Sequence, residues 1–213
     1  MILDSSLKQA CTLVTLPDGS KIYQHKDGQR VSTDNELFNY FLVQRFSQSS
    51  KEVKKVLELG LGTGINGIML KKSFPNWEIS GLEIDHEQAQ IAQYNCQSLG
   101  LDIKVITGDI KDYQANGKYD LILANPPYLK LGQGRLSPSH RRNLAKFELA
   151  CRMSDVFTCV KRNMAEAGQA YLLYAKNREE DLLAQIVKNR LEMIEKINEN
   201  KIIIIGLKHA TDK

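Results

Sequence analysis

The 213-residue chain has no C-x-x-C pair, no histidine spaced to complete a metal site, and no apolar run near the ~18 residues of a membrane span. Its four cysteines, Cys11, Cys96, Cys151 and Cys159, stand far apart, which predicts reduced, mostly buried thiols and no metal centre. The opening residues MILDSSLKQACTLV lack the basic-then-apolar layout of a signal peptide. These absences exclude a disulfide-stapled secreted scaffold and a helical membrane protein, and point to a cytoplasmic protein. With 42% hydrophobic and 25% charged residues the chain is too apolar to be disordered. Its length fits one large α/β domain with a short extension.

The N-terminal part reads as a hairpin. A β-branched run from Thr12 to Leu16 is followed by the turn Pro17-Asp18-Gly19-Ser20 and then by Lys21 to Gln24. Asp34 is a candidate N-cap for a helix carrying Leu37, Phe38, Phe41, Leu42 and Phe46 on one face. From Val53 onward strands alternate with helices. KVLELG, WEISGLEI, IKVITG, YDLILAN and QAYLLYA read as buried strands, with helices over about 65–73, 87–98, 141–164 and 179–190. This alternation predicts a doubly wound, mostly parallel sheet. LEMIEKI and KIIIIGL are joined too briefly for a crossover, so the last strand should run antiparallel at the C-terminal edge. Residues 1–50 are taken as a hairpin-and-helix extension and 51–213 as the main domain.

Glu58-Leu59-Gly60-Leu61-Gly62-Thr63-Gly64 ends one strand and opens a helix. Glycines there let backbone approach a ligand. Glu83, at the end of the next strand, can accept hydrogen bonds from both hydroxyls of a ribose, and Asp109 after the third strand could reach an adenine. Two cofactors compete. Gly62-Thr63-Gly64-Ile65-Asn66-Gly67 is a literal G-x-G-x-x-G, suited to a nicotinamide dinucleotide and an oxidoreductase. The overlapping E-x-G-x-G-x-G pattern suits S-adenosylmethionine. The register favours the second: the strand ends at Leu59, so the dinucleotide motif would begin two residues late.

Asn125-Pro126-Pro127-Tyr128 follows the fourth strand, at the sheet edge where ligands bind. Neither proline has an N–H, so this backbone offers acceptors and almost no donors. The Asn125 side-chain oxygen and the Pro126 carbonyl can take both protons of one NH₂ group, while Tyr128 offers a face for a planar ring. Held in this way, a delocalised exocyclic amine is drawn toward tetrahedral geometry and its lone pair is freed for methylation. A rigid Pro-Pro turn is the plain alternative. The tetrapeptide should arise by chance in roughly one chain per thousand of this length, which favours function.

Together the E-x-G-x-G-x-G and N-P-P-Y motifs resemble the amino-methyltransferases that act on adenine N6, on release-factor glutamine, or on guanine N2 of ribosomal RNA. Tyr23-Gln24, Asp27-Gly28-Gln29-Arg30, Ser32-Thr33-Asp34 and the stretch from Arg141 to Glu148 are similar to the bacterial tRNA (adenine-N6)-methyltransferases that modify the adenosine beside the anticodon of a valine tRNA. The release-factor enzymes instead open with a helical domain. The resemblance implies a Rossmann-like α/β fold with a seven-stranded, mostly parallel sheet. It further implies S-adenosylmethionine held by Glu58, Gly60, Gly62, Gly64, Glu83 and Asp109, with Thr33 and Asp34 at the methionine end. Asn125, Pro126, Pro127 and Tyr128 would hold the amine of a tRNA substrate.

Residues 129–147 carry Lys130, Arg135, Arg141, Arg142 and Lys146 and no acid. The rest of the chain has 24 basic and 25 acidic residues, so the net +4 comes from this one stretch. Gly132, Gly134 and Pro138 mark it as a loop beside the amine site, suited to gripping phosphates while a flipped base enters. No catalytic role is read into His25, His86, His140 or His209, and no protein partner is indicated.

Overall fold

The computed structural model describes residues 3–28, 31–49, 52, 54–126 and 151–211. A short helix α1 (Ser5–Gln9), absent from the sequence expectation, is capped by Asp4, whose carboxylate accepts from the Ser6 and Leu7 N–H groups. The hairpin follows as β1 (Cys11–Thr15) and β2 (Lys21–His25), paired antiparallel. Its turn is closed by the Leu16 N–H donating to Ser20 O at 2.8 Å.

Helix α2 (Thr33–Phe46) starts one residue before the expected cap. Ser32 is the N-cap because Asn35, three residues on, reaches back: its Oδ1 accepts from the Ser32 N–H at 3.2 Å and the Ser32 hydroxyl at 3.0 Å. Then come β3 (Lys55–Leu59), α3 (Ile65–Ser73), β4 (Glu78–Glu83), α4 (His86–Ser98), β5 (Ile103–Thr107) and β6 (Tyr119–Ala124). After the undescribed residues the chain resumes as α5 (Met153–Asn163), β7 (Met164–Ala175), α6 (Glu179–Lys188), β8 (Leu191–Glu199) and β9 (Ile202–His209). A continuous helix over 141–164 is not what forms. Arg152 is extended, and Asp155 accepts from its N–H at 2.8 Å, so α5 begins afresh at Met153.

The seven main strands lie in the order β5-β4-β3-β6-β7-β9-β8. β3, β4, β5, β6 and β7 are mutually parallel, and β9 runs against both of its neighbours. The reversed strand lies at the expected end of the sheet, one place in from the margin, with β8 outside it. A two-residue turn joins the pair, with Asn200 at φ 52°, a conformation asparagine tolerates better than most residues.

The period of two along each strand sorts the core into two layers. Ile202 and Ile204 face the side covered by the hairpin, α2, α3 and α4, while Ile203 and Ile205 face α5 and α6. Leu16 and Ile22 of the hairpin and Phe38, Leu42 and Phe46 of α2 join Val56, Ile68 and Ile79 in one continuous cluster. Burying each such side chain contributes about 1.5–3 kcal/mol, so the extension is bound to the sheet by its own apolar face. No helix among the described residues is long and apolar enough to cross a membrane.

Candidate active site

The strand registers bring the chemistry together. Leu59 pairs with Leu82 on one side and with Ala124 on the other, so β3, β4 and β6 end at one level. The next residues along are Gly60, Glu83, itself the last of β4, and Asn125. The chain order reverses between β3 and β6, which is the topological switch point where open α/β sheets bind ligands.

The glycine turn is a chain of left-handed conformations: φ is 73° at Gly60, 56° at Gly62 and 85° at Gly64. Side chains at these positions would be strained. The turn is tied to β4 twice over. The Gly60 and Leu61 N–H groups donate to Leu82 O at 2.9 and 3.0 Å. The Gly62 N–H donates to Glu83 Oε2 at 2.8 Å, and the other Glu83 oxygen accepts from the Asp85 N–H at 3.0 Å. Burial raises the Glu83 carboxyl above the usual carboxylate range, against the effect of those two N–H groups.

Glu58 lies beneath the turn, 1% exposed. Its Oε1 accepts from Asn66 Nδ2 at 2.8 Å and its Oε2 from the Gly67 N–H at 2.9 Å. Burial pushes this carboxyl up to about 8. Asn66 Oδ1 in turn accepts from Asn39 Nδ2 at 2.8 Å and Asn35 Nδ2 at 3.3 Å. A buried relay of amides thus runs from β3 through α3 to the cap of α2. A second one starts at Asn95 of α4, fully buried, which exchanges bonds with both the N–H and the carbonyl of Tyr23 at 2.8 and 2.9 Å. Its Nδ2 also donates to Thr63 O at 3.0 Å, joining the hairpin to the glycine turn.

A cleft opens above, lined by Val31, Asn35, the turn residues 60–63, Gln88 and Asn125. Asn125 Oδ1 is buried and has no hydrogen-bond donor among the described residues. Gln88 Oε1 is in the same condition. Thr33 and Asp34 form the first turn of α2 beside the cleft, Thr33 exposed and Asp34 half-buried. Asp109 stands beyond β5, where it accepts from the Lys111 N–H at 2.9 Å and pairs with the Lys111 ammonium at 3.2 Å. Gly108 anchors that segment by donating its N–H to Glu83 O at 2.9 Å. Pro126 is buried next to Asn125. Pro127, Tyr128, Lys130, Arg135, Arg141, Arg142 and Lys146 lie outside the described residues.

Several residues at the site went unread in the sequence: Asn35, Asn39, Asn66, Gln88, Asn95 and Ile84. One signal was available. Asn35 and Asn39 fall four apart on the face of α2 that also carries Phe38 and Leu42, and two amides on an apolar stripe call for buried partners. Ile84, directly after Glu83, is 49% exposed, an apolar side chain left open at the ligand edge.

Comparison with known proteins agrees with this geometry. The chain resembles the tRNA1(Val) (adenine(37)-N6)-methyltransferase of Actinobacillus pleuropneumoniae serotype 5b, at 32% identity over 77% of this chain and 67% of that protein. It therefore spans about two thirds of that relative's length. The release factor glutamine methyltransferase of Enterococcus faecalis is 33% identical over a shorter stretch, 41% of this chain and 32% of the relative. Among solved structures, a T. thermophilus 16S rRNA N2 methyltransferase in complex with AdoMet and guanosine superposes with a TM-score of 0.66 at 15% identity, over 93% of this chain and 50% of that one. The family model of the methyltransferase small domain matches residues 39–146, half of the chain. With that match and the switch-point architecture, the chain belongs to the methyltransferase small domain family.

Proposed function

We propose that the protein transfers a methyl group from S-adenosylmethionine to the exocyclic N6 amine of an adenine in tRNA. The observation that carries this reading is the buried Asn125 Oδ1 at the switch point of the sheet, an acceptor without a donor among the described residues. Such an orphan costs roughly 1–3 kcal/mol unless a ligand supplies the missing donor.

The residues present fit the cofactor. Glu83 is a buried carboxyl at the end of β4, placed to accept from ribose hydroxyls. The glycine turn presents backbone without side chains in the way, Ile84 offers apolar surface to an adenine, and Asp109 an acceptor for its amine. Thr33 and Asp34 stand at the methionine end. Glu58, 1% exposed beneath the turn against 9% for Glu83, holds the turn in shape through Asn66 and Gly67. Bound there, the cofactor supplies a methyl carbon made electrophilic by its sulfonium.

Asn125 Oδ1 and the Pro126 carbonyl accept hydrogen bonds from the two N–H groups of the amine, drawing the nitrogen toward tetrahedral geometry with its lone pair free. Tyr128 would stack on the ring, with Pro127 stiffening the stretch between. The Asn125 amide is no base, so the extra proton leaves to solvent after transfer. The rate gain comes from positioning and fixed dipoles. The Actinobacillus relative, named for methylating a valine tRNA, supports a tRNA substrate. The basic run of Lys130, Arg135, Arg141, Arg142 and Lys146 supports an RNA partner generally. A glutamine side chain presents a similar planar NH₂, but the release-factor relative matches less than half of the chain.

The test is methyl transfer from labelled cofactor to unmodified total tRNA and, separately, to release factor, followed by hydrolysis and product analysis. N6-methyladenosine is the expected product. Methylglutamine or another methylated nucleoside would replace the proposed substrate. Asn125→Ala should lower kcat at least about 100-fold while cofactor binding persists in calorimetry; retained turnover would refute the role given to Asn125.

A further inference from the structure

Gln88 sits in the first turn of α4, 6% exposed, with its Oε1 buried and without a donor among the described residues. It is not a loosely held side chain. A Cβ added at Gly28 would come within 2.8 Å of Gln88 Nε2, so the amide is wedged against the turn that follows β2. The backbone N–H of Gln88 is fixed as well, donating to the Asp85 cap at 3.2 Å. The amide lines the same cleft as Asn125 and the glycine turn.

We infer that Gln88 is a cofactor-binding residue whose Oε1 accepts a hydrogen bond from the ammonium at the amino-acid end of S-adenosylmethionine. The inference rests on the cofactor reading above. Three branches leave the sulfonium. The methyl must point at Asn125, where the amine is held. The ribose belongs with Glu83, and neither Glu83 nor Asp109 lines this cleft. The branch left to enter it, between the glycine turn and the start of α2, is the amino-acid chain. That chain ends in a carboxylate, which only accepts, and an ammonium, which only donates. A buried orphan acceptor selects the ammonium, and a charge-assisted bond is the stronger kind.

Two ligands separate this from a merely structural role. S-adenosylhomocysteine carries the amino-acid end; 5′-methylthioadenosine keeps the adenine and ribose and lacks it. Gln88→Met preserves length and volume and removes the acceptor. By calorimetry it should weaken S-adenosylhomocysteine about tenfold or more and leave 5′-methylthioadenosine within about twofold of the wild type. Equal losses for both ligands would overturn the assignment, since the contact would then lie elsewhere or the cleft would have deformed. No loss for either would overturn it too. If the wild type binds S-adenosylhomocysteine and the variant behaves otherwise than expected, only the Gln88 assignment fails. If the wild type binds neither ligand, the cofactor reading itself fails.

Discussion

Asn66 makes bonds in three directions: to Glu58 below it and to Asn35 and Asn39 across the α2–α3 contact. Replacing it by Ala strands Glu58 Oε1 and removes one acceptor from Asn39 Nδ2. The expected cost is about 1–3 kcal/mol, read as a fall in the urea midpoint with an unchanged slope. Glu58 itself couples folding to pH. Its carboxyl has an ordinary value of 4.5 and burial lifts it to about 8 in the folded chain. Between those values folding takes up a proton, so stability declines as pH rises through that window and levels off above it. Glu58→Gln has no such proton to take up. Urea titrations in steps from about pH 5 to pH 8 should give a flatter profile for the variant than for the wild type. The remaining slope belongs partly to Glu83, which burial shifts the same way. A variant slope as steep as the wild type's would show that Glu58 is not the proton acceptor.

At the scale of elements, β4 and the glycine turn are fitted to one another. A Cβ at Gly81 would lie 2.4 Å from Leu61 Cδ1, and Leu61 is itself buried. Gly81→Ala must therefore displace the Leu61 side chain, at an expected cost of about 1–3 kcal/mol, and should weaken binding of S-adenosylhomocysteine through the turn that carries it. Stability lost without any change in affinity would show that the turn relaxes elsewhere. Much of this level was legible in the sequence. The periodicity predicts α3 over 65–73, where it forms, because a turn of glycines fixes its start and the apolar face follows at once. The parallel sheet follows from the strand–helix alternation and the reversal at the C-terminal end from the short connection between β8 and β9, whereas the order of the strands appears only in the fold. The amide relays were not legible. Asn35 meets Asn66 across 31 positions and Tyr23 meets Asn95 across 72, pairings that depend on how separate elements pack. Gln88 and Ile84 escaped notice for a related reason: exposure and orphaned atoms exist only once the chain is folded.

For the molecule as a whole the charge distribution matters more than its sum. The surplus of +4 derives from residues 129–147, which join the end of β6 to the segment before α5. Reversing the charge at Arg141 and Arg142 should raise the apparent KM for tRNA and leave cofactor affinity unchanged, and wild-type tRNA affinity should fall steeply with salt. An unchanged KM would place the RNA contacts elsewhere on the protein.

The position of β9 has a consequence for how the chain is made. The last of the seven strands to be synthesised is an interior one, and it supplies the neighbour on which both β7 and β8 depend. Until it leaves the ribosome, β7 presents an open edge and β8 has nothing to pair with, at a stage when the glycine turn, Glu83 and Asn125 have long been translated. The cofactor half of the sheet can thus assemble on the emerging chain, while its other half waits for the final strand, and the nascent protein carries exposed strand edges for that interval.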